Sequence, residues 1–148
     1  MSTAVLRRLW TAENHILKTN NILLSEVNAI GTNIGPGSFT GIRACTTVAR
    51  VMGQQLNVPT VGVSSLEILE KLTDSNPLVA LDARKNSAYL RYNGETKGAV
   101  NLDEVKEIVK SGKYNVITDD KLVPALGGIS YPAGKYPLAE RRAAPLNP

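Results

Sequence analysis

The hydrophobic positions of the first half of the chain alternate between helical and strand-like spacing. They predict a helix, a strand, a long helix and a second strand, at residues 13–24, 27–34, 38–56 and 60–63. Asn20 and Asn21 weaken the first helix, because asparagine is a poor helix former. Ser38 is a natural N-cap for the long helix, and Asn57 followed by Pro59 ends it. The strand at residues 60–63 is predicted to be buried.

The second half continues with a short helix, two paired strands, a longer helix and a further strand. These elements are predicted at residues 66–72, 78–81, 88–92, 102–109 and 114–118. Ser64 or Ser65 is suited to cap the short helix, and Ser64 with Glu67 has the spacing of a capping box. The charged turn 82–87 joins the paired strands. The Gly- and Pro-rich tail from Pro124 onward is predicted to be irregular. The polar stretch before Pro77 divides this α/β chain into two halves, 1–75 and 76–148.

The composition is that of a globular protein and excludes several other classes. Hydrophobic residues make up 43% of the 148 residues and aromatic residues only 5%, so the core must be built mainly from aliphatic side chains. A single cysteine, Cys45, excludes an internal disulfide and a multi-cysteine metal site, and suits a reducing compartment. No apolar run is long enough to span a membrane, and residues 1–10 do not have the order of a signal peptide. The net charge of +4 is dispersed, which is typical of a solvated surface.

A glycine-rich turn lies between the predicted strand 27–34 and the long helix. Backbone N–H groups at such a position can receive an anion, which makes Gly35, Gly37 and Ser38 candidate nucleotide- or anion-binding residues. The turn lacks the lysine of a Walker loop, and its glycine spacing differs from that of a Rossmann fingerprint. A tight turn that only caps the helix is the alternative.

The long helix is apolar almost all round. Its polar residues form one narrow stripe at helical spacing, Arg43, Thr47, Arg50 and Gln54. An ordinary surface helix has a narrower apolar arc, so this helix is predicted to be covered on one side by its own sheet and on the other by a second helix or subunit. The candidate interface residues are Phe39, Gly41, Ile42, Cys45, Val48, Ala49 and Met52. Burial inside one domain is the alternative.

Three sequence blocks carry a family resemblance. Residues 35–43, GPGSFTGIR, resemble the signature GPGSFTGLR of the TsaB/YeaZ family. Residues 59–67, PTVGVSSLE, resemble that family's P-x-V-G-V-S-S/T-L-E block, and residues 81–85 with Tyr89 resemble its DAR-K/R-x-x-x-Y block. The nine-residue signature is highly specific, and the three blocks occur in the family's order.

The resemblance implies an actin-like, sugar-kinase-type (ribonuclease H-like) α/β fold of two halves. It also implies a cytoplasmic, non-catalytic scaffold or dimerisation subunit, without metal or cofactor, that acts in forming threonylcarbamoyladenosine in tRNA. The implied partners are a TsaD-like catalytic subunit, a TsaE-like ATPase in the same complex and a second copy, with tRNA contacted only indirectly. Family members dimerise through their first two helices, which correspond to residues 13–24 and 38–56. They begin with a strand and hairpin for which this sequence has no counterpart, so the first half is expected to lack those strands and to be poorly stable alone.

No complete catalytic group is recognisable in the sequence. His15 is the only histidine, Ser38 has no general base in its motif, and Cys45 on an apolar helix face is typical of inert packing. Asp82 and Arg84 could pair across a turn or face a cleft, and a solvated turn is the alternative. The sequence therefore predicts no catalytic and no metal-binding residue. The alternatives are an enzyme of the same fold, either a nucleotide-using transferase or hydrolase or a peptidase, and a direct tRNA-binding module.

Overall fold

The computed structural model describes residues 15–73 and 75–130. These residues form two compact units, one ending at Ile68 and the other beginning at Leu69. The division predicted from the sequence falls later, after residue 75, and stays a prediction about folding domains.

The first unit is built on two parallel strands joined by a long helix. β1 (Ile30–Asn33) pairs with β2 (Thr60–Val63), and α1 (Phe39–Leu56) connects them. Residues 15–19 are also helical, and Leu24–Glu26 form one turn of 3-10 helix. A strand–helix–strand order with parallel strands confirms the α/β character of this half.

The capping residues of the first unit act as the sequence predicts. The Ser38 hydroxyl oxygen accepts the Gly41 N–H at the start of α1, and Asn57 ends the helix in the left-handed region at φ 54°. The Ser64 hydroxyl oxygen accepts the Leu66 N–H at 3.2 Å, which caps α2 (Ser65–Glu70). Both helices therefore begin where a serine supplies an acceptor to the first turn.

Three expectations for the first unit need correction. The first helix stops well before residue 24, because Asn21 takes a left-handed φ of 53°; residues 13 and 14 lie outside the described part. The first strand begins at Ile30 rather than 27, since the Glu26 carboxylate accepts the Leu23 N–H at 2.6 Å and holds a helical turn there. β2 is exposed rather than buried, with Val61 56% exposed, because β1 is its only partner strand among the described residues.

The second unit is a mixed five-stranded sheet with strand order β5-β4-β3-β6-β7. The strands are β3 (Pro77–Arg84), β4 (Ser87–Tyr92), β5 (Glu95–Asn101), β6 (Asn115–Thr118) and β7 (Ile129–Ser130). β3 and β5 pair with β4 in antiparallel fashion, and β6 pairs in parallel with β3 and β7. Two helices belong to the unit, α3 (Leu102–Lys110) and α4 (Val123–Leu126).

Alternate residues of the central strands form the core of the second unit. Leu78 and Leu90 lie on the same face of β3 and β4 and are fully buried. Val105 of α3 belongs to this core, as do Leu122 and Leu126 near the end of the described chain. The period-two alternation of the strands and the apolar stripe of α3 therefore meet in one cluster.

Two predictions for the second unit are wrong: β5 was not predicted, and the tail was predicted to be irregular from Pro124 onward. β5 follows a hairpin turn at Asn93 and Gly94, both with positive φ (51° and 75°), which is the geometry that an Asn-Gly pair favours. β5 is an edge strand with one extra residue, Lys97, between its pairings at Thr96 and Gly98, so it lacks a clean alternation of apolar residues. The region after residue 122 is not irregular throughout, since it contains α4 and β7; residues 131–148 lie outside the described part.

Candidate functional site

The glycine-rich turn between β1 and α1 is held together by its own hydrogen bonds. Gly35 is buried at φ +94°, in the left-handed region that favours glycine. Its N–H donates to Asn33 Oδ1 at 2.7 Å. Its carbonyl oxygen accepts the Ser65 N–H at 2.8 Å and the Ser64 hydroxyl at 3.2 Å. Both backbone polar groups of Gly35 are therefore engaged inside the protein.

Asn33 ties this turn to the turn that starts α2. Besides accepting the Gly35 N–H, its Oδ1 accepts the Ser65 hydroxyl at 2.9 Å. The PTVGVSSLE block thus supplies the two serines that fasten the GPGSFTGIR block. Asn33 was not predicted as a site residue, although an asparagine before a glycine turn is a known signal for a side chain that bonds the nearby backbone.

The three candidate anion-binding residues lie together in this turn but differ in what they offer. Gly35 uses its N–H internally, whereas Gly37 and Ser38 are exposed. The Ser38 hydroxyl oxygen accepts the Gly41 N–H at 3.4 Å and so serves as the helix cap. These bonds favour the tight capping turn, and anion binding stays a prediction that would depend on Gly37 and Ser38.

The candidate interface residues of α1 are covered to different degrees. Phe39 is 73% exposed, whereas Ala49 is only 5% exposed. The other five are half-buried: Gly41, Ile42, Cys45, Val48 and Met52. A charge placed at Ala49 would therefore disturb packing within the chain, and Phe39 is the better position at which to test contact with a partner.

The polar residues of α1 lie on its exposed side. Arg43, Thr47, Arg50 and Gln54 are all exposed, as the helical spacing predicts. The Arg43 guanidinium lies over the Phe39 ring, 5.2 Å from its centroid, which holds both side chains in a defined place. The exposed side of α1 is thus aromatic and basic.

Asp82 and Asp119 lie at the adjoining ends of the parallel strands β3 and β6. Asp119 Oδ2 accepts the Asp82 N–H at 2.7 Å, and its Oδ1 accepts the Lys121 and Leu122 N–H groups at 3.1 Å. Asp82 Oδ1 accepts the Arg84 N–H at 2.8 Å, and Oδ2 pairs with Lys121 Nζ at 3.1 Å. The ion-pair partner of Asp82 is therefore Lys121 across the strand ends. Asp119, which the sequence analysis missed, organises the chain after β6.

Asp82 gives a small, testable pH effect. The hydrogen bond from the Arg84 backbone N–H, and then the one from the Lys121 side-chain ammonium, lower the pKa of the Asp82 carboxyl below its ordinary value of 3.8. A lowered folded-state pKa stabilises the fold above the unfolded-state pKa, and this stability is lost as the pH falls through the folded-state value. Since the Lys121 side chain is solvent-exposed and Asp82 is only half-buried, we expect Asp82→Asn to cost less than about 1 kcal/mol at neutral pH and nothing in strong acid. Urea denaturation at both pH values checks this, with Glu104→Gln as the control. An equal loss at both pH values would contradict it.

The other residues considered for catalysis, His15 and Cys45, do not form part of a catalytic group among the described residues. His15 is exposed and Cys45 is half-buried on α1. In residues 15–73 and 75–130, no group of three or more His, Cys, Asp or Glu side chains is arranged to hold a metal ion. None of the helices in these ranges is long and apolar enough to cross a membrane.

Comparison with known proteins identifies relatives by sequence. A family profile described as "TsaD: tRNA N6-adenosine threonylcarbamoyltransferase" matches residues 2–122. The tRNA threonylcarbamoyladenosine biosynthesis protein TsaB of Escherichia coli K12 is 29% identical over 110 residues, which cover 70% of this chain and 48% of that protein. The protein of the same name from Buchnera aphidicola subsp. Baizongia pistaciae is 34% identical over 92 residues, 57% of this chain and 42% of the relative. The chain thus spans about half the length of these relatives, or less.

Solved structures agree with the sequence relatives. A Pseudomonas aeruginosa protein described as similar to peptidase YeaZ aligns with a TM-score of 0.64 and 23% identity, over 84% of this chain and 65% of that one. YeaZ from Pseudomonas aeruginosa aligns with a TM-score of 0.54 and 30% identity, over 64% of this chain and 49% of that one. These structures confirm the predicted α/β fold of the actin-like, ribonuclease H-like type. Because the profile matches most of the chain, the protein belongs to the family that the TsaD profile describes, and within it to the TsaB/YeaZ proteins.

Proposed function

We propose that this chain acts in the formation of threonylcarbamoyladenosine in tRNA, as a non-catalytic subunit that binds a TsaD-like catalytic subunit. The names of the TsaB relatives support the pathway. The observation that carries the subunit role is the exposed apolar surface of the first unit. Soluble monomeric proteins rarely expose a large contiguous apolar surface unless something binds there.

The large exposed hydrophobic residues are concentrated in the first unit. Eight of them lie between residues 15 and 68, and only Tyr89 and Ile129 lie in the described part of the second unit. The eight are Ile16, Ile22, Leu23, Leu24, Ile34, Phe39, Val51 and Val61. Phe39 is the most exposed of them at 73%. An exposed aromatic ring beside an arginine has the composition of a protein interface.

The hydrogen bonds of the signature motif also support a structural role. Gly35 and Ser38 use their polar groups to hold the turn and cap α1, and Asn33 joins that turn to α2. In this proposal the motif fixes the start of α1 and so presents the helix to a partner. A TsaE-like ATPase in the same complex, a cytoplasmic location and an indirect relation to tRNA belong to the proposal, because the relatives are tRNA-modification proteins. The proposal also includes association of the chain with a second copy of itself.

Binding to TsaD tests the proposal directly. Purified full-length chain is titrated with the TsaD protein of the same genome in a calorimeter, and a saturable complex is expected. Phe39→Ser should weaken this complex by about tenfold or more, because an exposed aromatic anchor is lost. Ile129→Ser, which removes an exposed hydrophobic residue of the second unit, is the matched control and should leave the affinity unchanged.

Turnover assays test the non-catalytic part of the proposal. The isolated chain is expected neither to hydrolyse ATP nor to modify tRNA, whereas its addition to the other components should raise threonylcarbamoyladenosine formation. Robust turnover by the chain alone, lost in Ser38→Ala or Asp82→Asn, would instead identify it as an enzyme. A chain that fails to bind TsaD at all would contradict the subunit role.

A further inference from the structure

The two-stranded sheet of the first unit is covered by α1 on one face. Residues paired across β1 and β2 lie on the same face, so Thr60 shares a face with Ile30, and Val61 shares the other face with Gly31. Thr60 Oγ1 donates to the Ala49 carbonyl oxygen of α1 at 3.5 Å. The Thr60 face is therefore the one on which α1 packs, and Val61 lies on the opposite face.

The opposite face, called here the open face, consists of Gly31, Asn33, Val61 and Val63. Val61 is 56% exposed, Gly31 beside it is exposed, and Val63 is half-buried. Asn33 is the polar member, and its Oδ1 already accepts hydrogen bonds within the glycine-rich turn. Parallel strands are normally covered on both faces, unlike antiparallel ones. The exposure of Val61 therefore marks a face that lacks its cover among the described residues.

The open face has the dimensions of one short helix. Neighbouring strands lie about 4.8 Å apart, and four residues of a strand span about 13 Å. Both β1 and β2 have four residues. A helix is about 10 Å wide, and nine of its residues span about 13.5 Å. A helix of this length is also the usual kind of cover for a parallel sheet.

The chain just before the described residues has the pattern of such a helix. Residues 4–12 read AVLRRLWTA, and the large apolar side chains among them are Val5, Leu6, Leu9 and Trp10. At about 100° per residue these four positions fall within an arc of about 140°. Arg7, Arg8 and Thr11 fall on the other side of the same helical wheel. The spacing thus predicts an amphipathic helix of nine residues with one apolar side.

The other end of the chain is less suited to cover the open face. Residues 131–148 contain four prolines, which interrupt a helical pattern. They also follow the second unit, whereas residues 4–12 precede residue 15 of the first unit directly. A segment joined so closely to its docking surface acts at a high effective concentration, which favours it over a separate molecule.

We infer that residues 4–12 form an amphipathic helix that packs on the open face of β1 and β2. Leu9 and Trp10 then cover Val61, and the arginines of the segment face water. α1 lies on the other side of the sheet, so Phe39 stays available to a partner. The first unit becomes a three-layer arrangement, with a parallel sheet between two helices.

The fluorescence of Trp10 tests this inference on the full-length chain, because Trp10 is its only tryptophan. In the parent we expect emission at a shorter wavelength than that of free tryptophan, and weak quenching by acrylamide. Val61→Lys should shift the emission to longer wavelength and raise the quenching constant about twofold or more, because a charge on the open face displaces the apolar ring. Val51→Lys, at a valine of α1 that is 50% exposed, is the matched control and should change neither value.

Variants in the segment test the same contact from its other side. Leu6→Ser/Leu9→Ser should raise the hydrogen-exchange rate of the β2 amides about tenfold, because the cover of the strand is lost. Arg7→Ser/Arg8→Ser changes only the polar side of the predicted helix and is the control. Circular dichroism checks that each variant is folded, and Val61→Ser takes the place of Val61→Lys if the lysine variant unfolds.

Several results would overturn the inference. Water-like emission in the folded parent, or no change in Val61→Lys, would show that the segment does not cover the open face. Unchanged exchange of β2 in Leu6→Ser/Leu9→Ser would show the same. A shift to longer wavelength on dilution of the parent would place the segment on a second copy. Weaker TsaD binding by Val61→Lys with Trp10 unchanged would assign the face to that partner. The fluorescence readouts need no TsaD, so the inference and the proposed function can fail separately.

Discussion

Replacement of Asn33 by alanine is expected to lower the free energy of unfolding of the first unit by about 2–3 kcal/mol. The substitution removes the acceptor of the buried Gly35 N–H and of the Ser65 hydroxyl at once. A buried N–H without a partner costs more than the hydrogen bond itself contributes, because water cannot replace the lost acceptor. The loss is read from urea denaturation followed by circular dichroism and from faster hydrogen exchange of the Gly35 amide.

Two variants separate the parts of the Asn33 effect. Asn33→Asp keeps the acceptor oxygens and should retain most of the stability, whereas Ser65→Ala removes only one donor and should cost about 1 kcal/mol. If Asn33→Ala destabilised the protein no more than Ser65→Ala does, the bond to Gly35 would not be what holds the turn.

Two glycines of α1 are expected to respond to alanine with opposite signs. A Cβ at Gly53 would lie 2.2 Å from Thr60 Oγ1 and 3.2 Å from the Val58 carbonyl oxygen. Overpacking costs about 1–3 kcal/mol, and an overlap this severe should exceed the helix-propensity gain of about 1 kcal/mol, so Gly53→Ala should destabilise the protein. At Gly41 the nearest atom, Ser38 Cβ, is 3.6 Å away. Gly41→Ala should therefore stabilise the protein by about 0.5–1 kcal/mol.

A second-site change tests the cause of the Gly53 effect. Thr60→Ala removes the Oγ1 atom that the new methyl group at position 53 would contact. It also removes a long hydrogen bond, 3.5 Å, that Thr60 Oγ1 donates to the Ala49 carbonyl oxygen. Gly53→Ala should be less harmful in the Thr60→Ala background than in the parent, as measured by a double-mutant cycle of thermal or urea unfolding. Additive effects would show that the clash with Thr60 is not the source.

The elements with strong local signals are predictable from the sequence, and the others depend on pairing between distant residues. α1 has a serine cap, a long apolar pattern and Asn57 at its end, so its bounds follow from local chemistry. β5 has no apolar alternation, because it is exposed at a sheet edge and contains an extra residue. Its signal was the Asn93-Gly94 pair before it, which favours a hairpin whatever the composition of the strand that follows. The exposure of β2 could not be predicted, since it depends on how many strands lie beside it.

In the candidate site, too, some features follow from local sequence and others depend on contacts between distant residues. The position of the turn and the role of Ser38 follow from residues close in sequence, and the structure confirms the cap. Asn33 and Ser65 are 32 residues apart, so their contact becomes visible only when β1 and β2 pair. Likewise, the sequence shows the polar stripe of α1, but the difference in exposure between Phe39 and Ala49 is a property of the folded chain.

The irregular edge of the second sheet has a consequence for how this protein meets its neighbours. Lys97 interrupts the pairing of β5 and bonds to Glu95 on the same strand, so the outer edge is broken and charged. A passing extended chain, such as a nascent or misfolded polypeptide, finds no regular row of backbone donors and acceptors to join there. At high protein concentration, strand addition at this edge is thereby suppressed. Recognition at this edge is left to side-chain chemistry, which can distinguish one partner from another as backbone hydrogen bonds cannot.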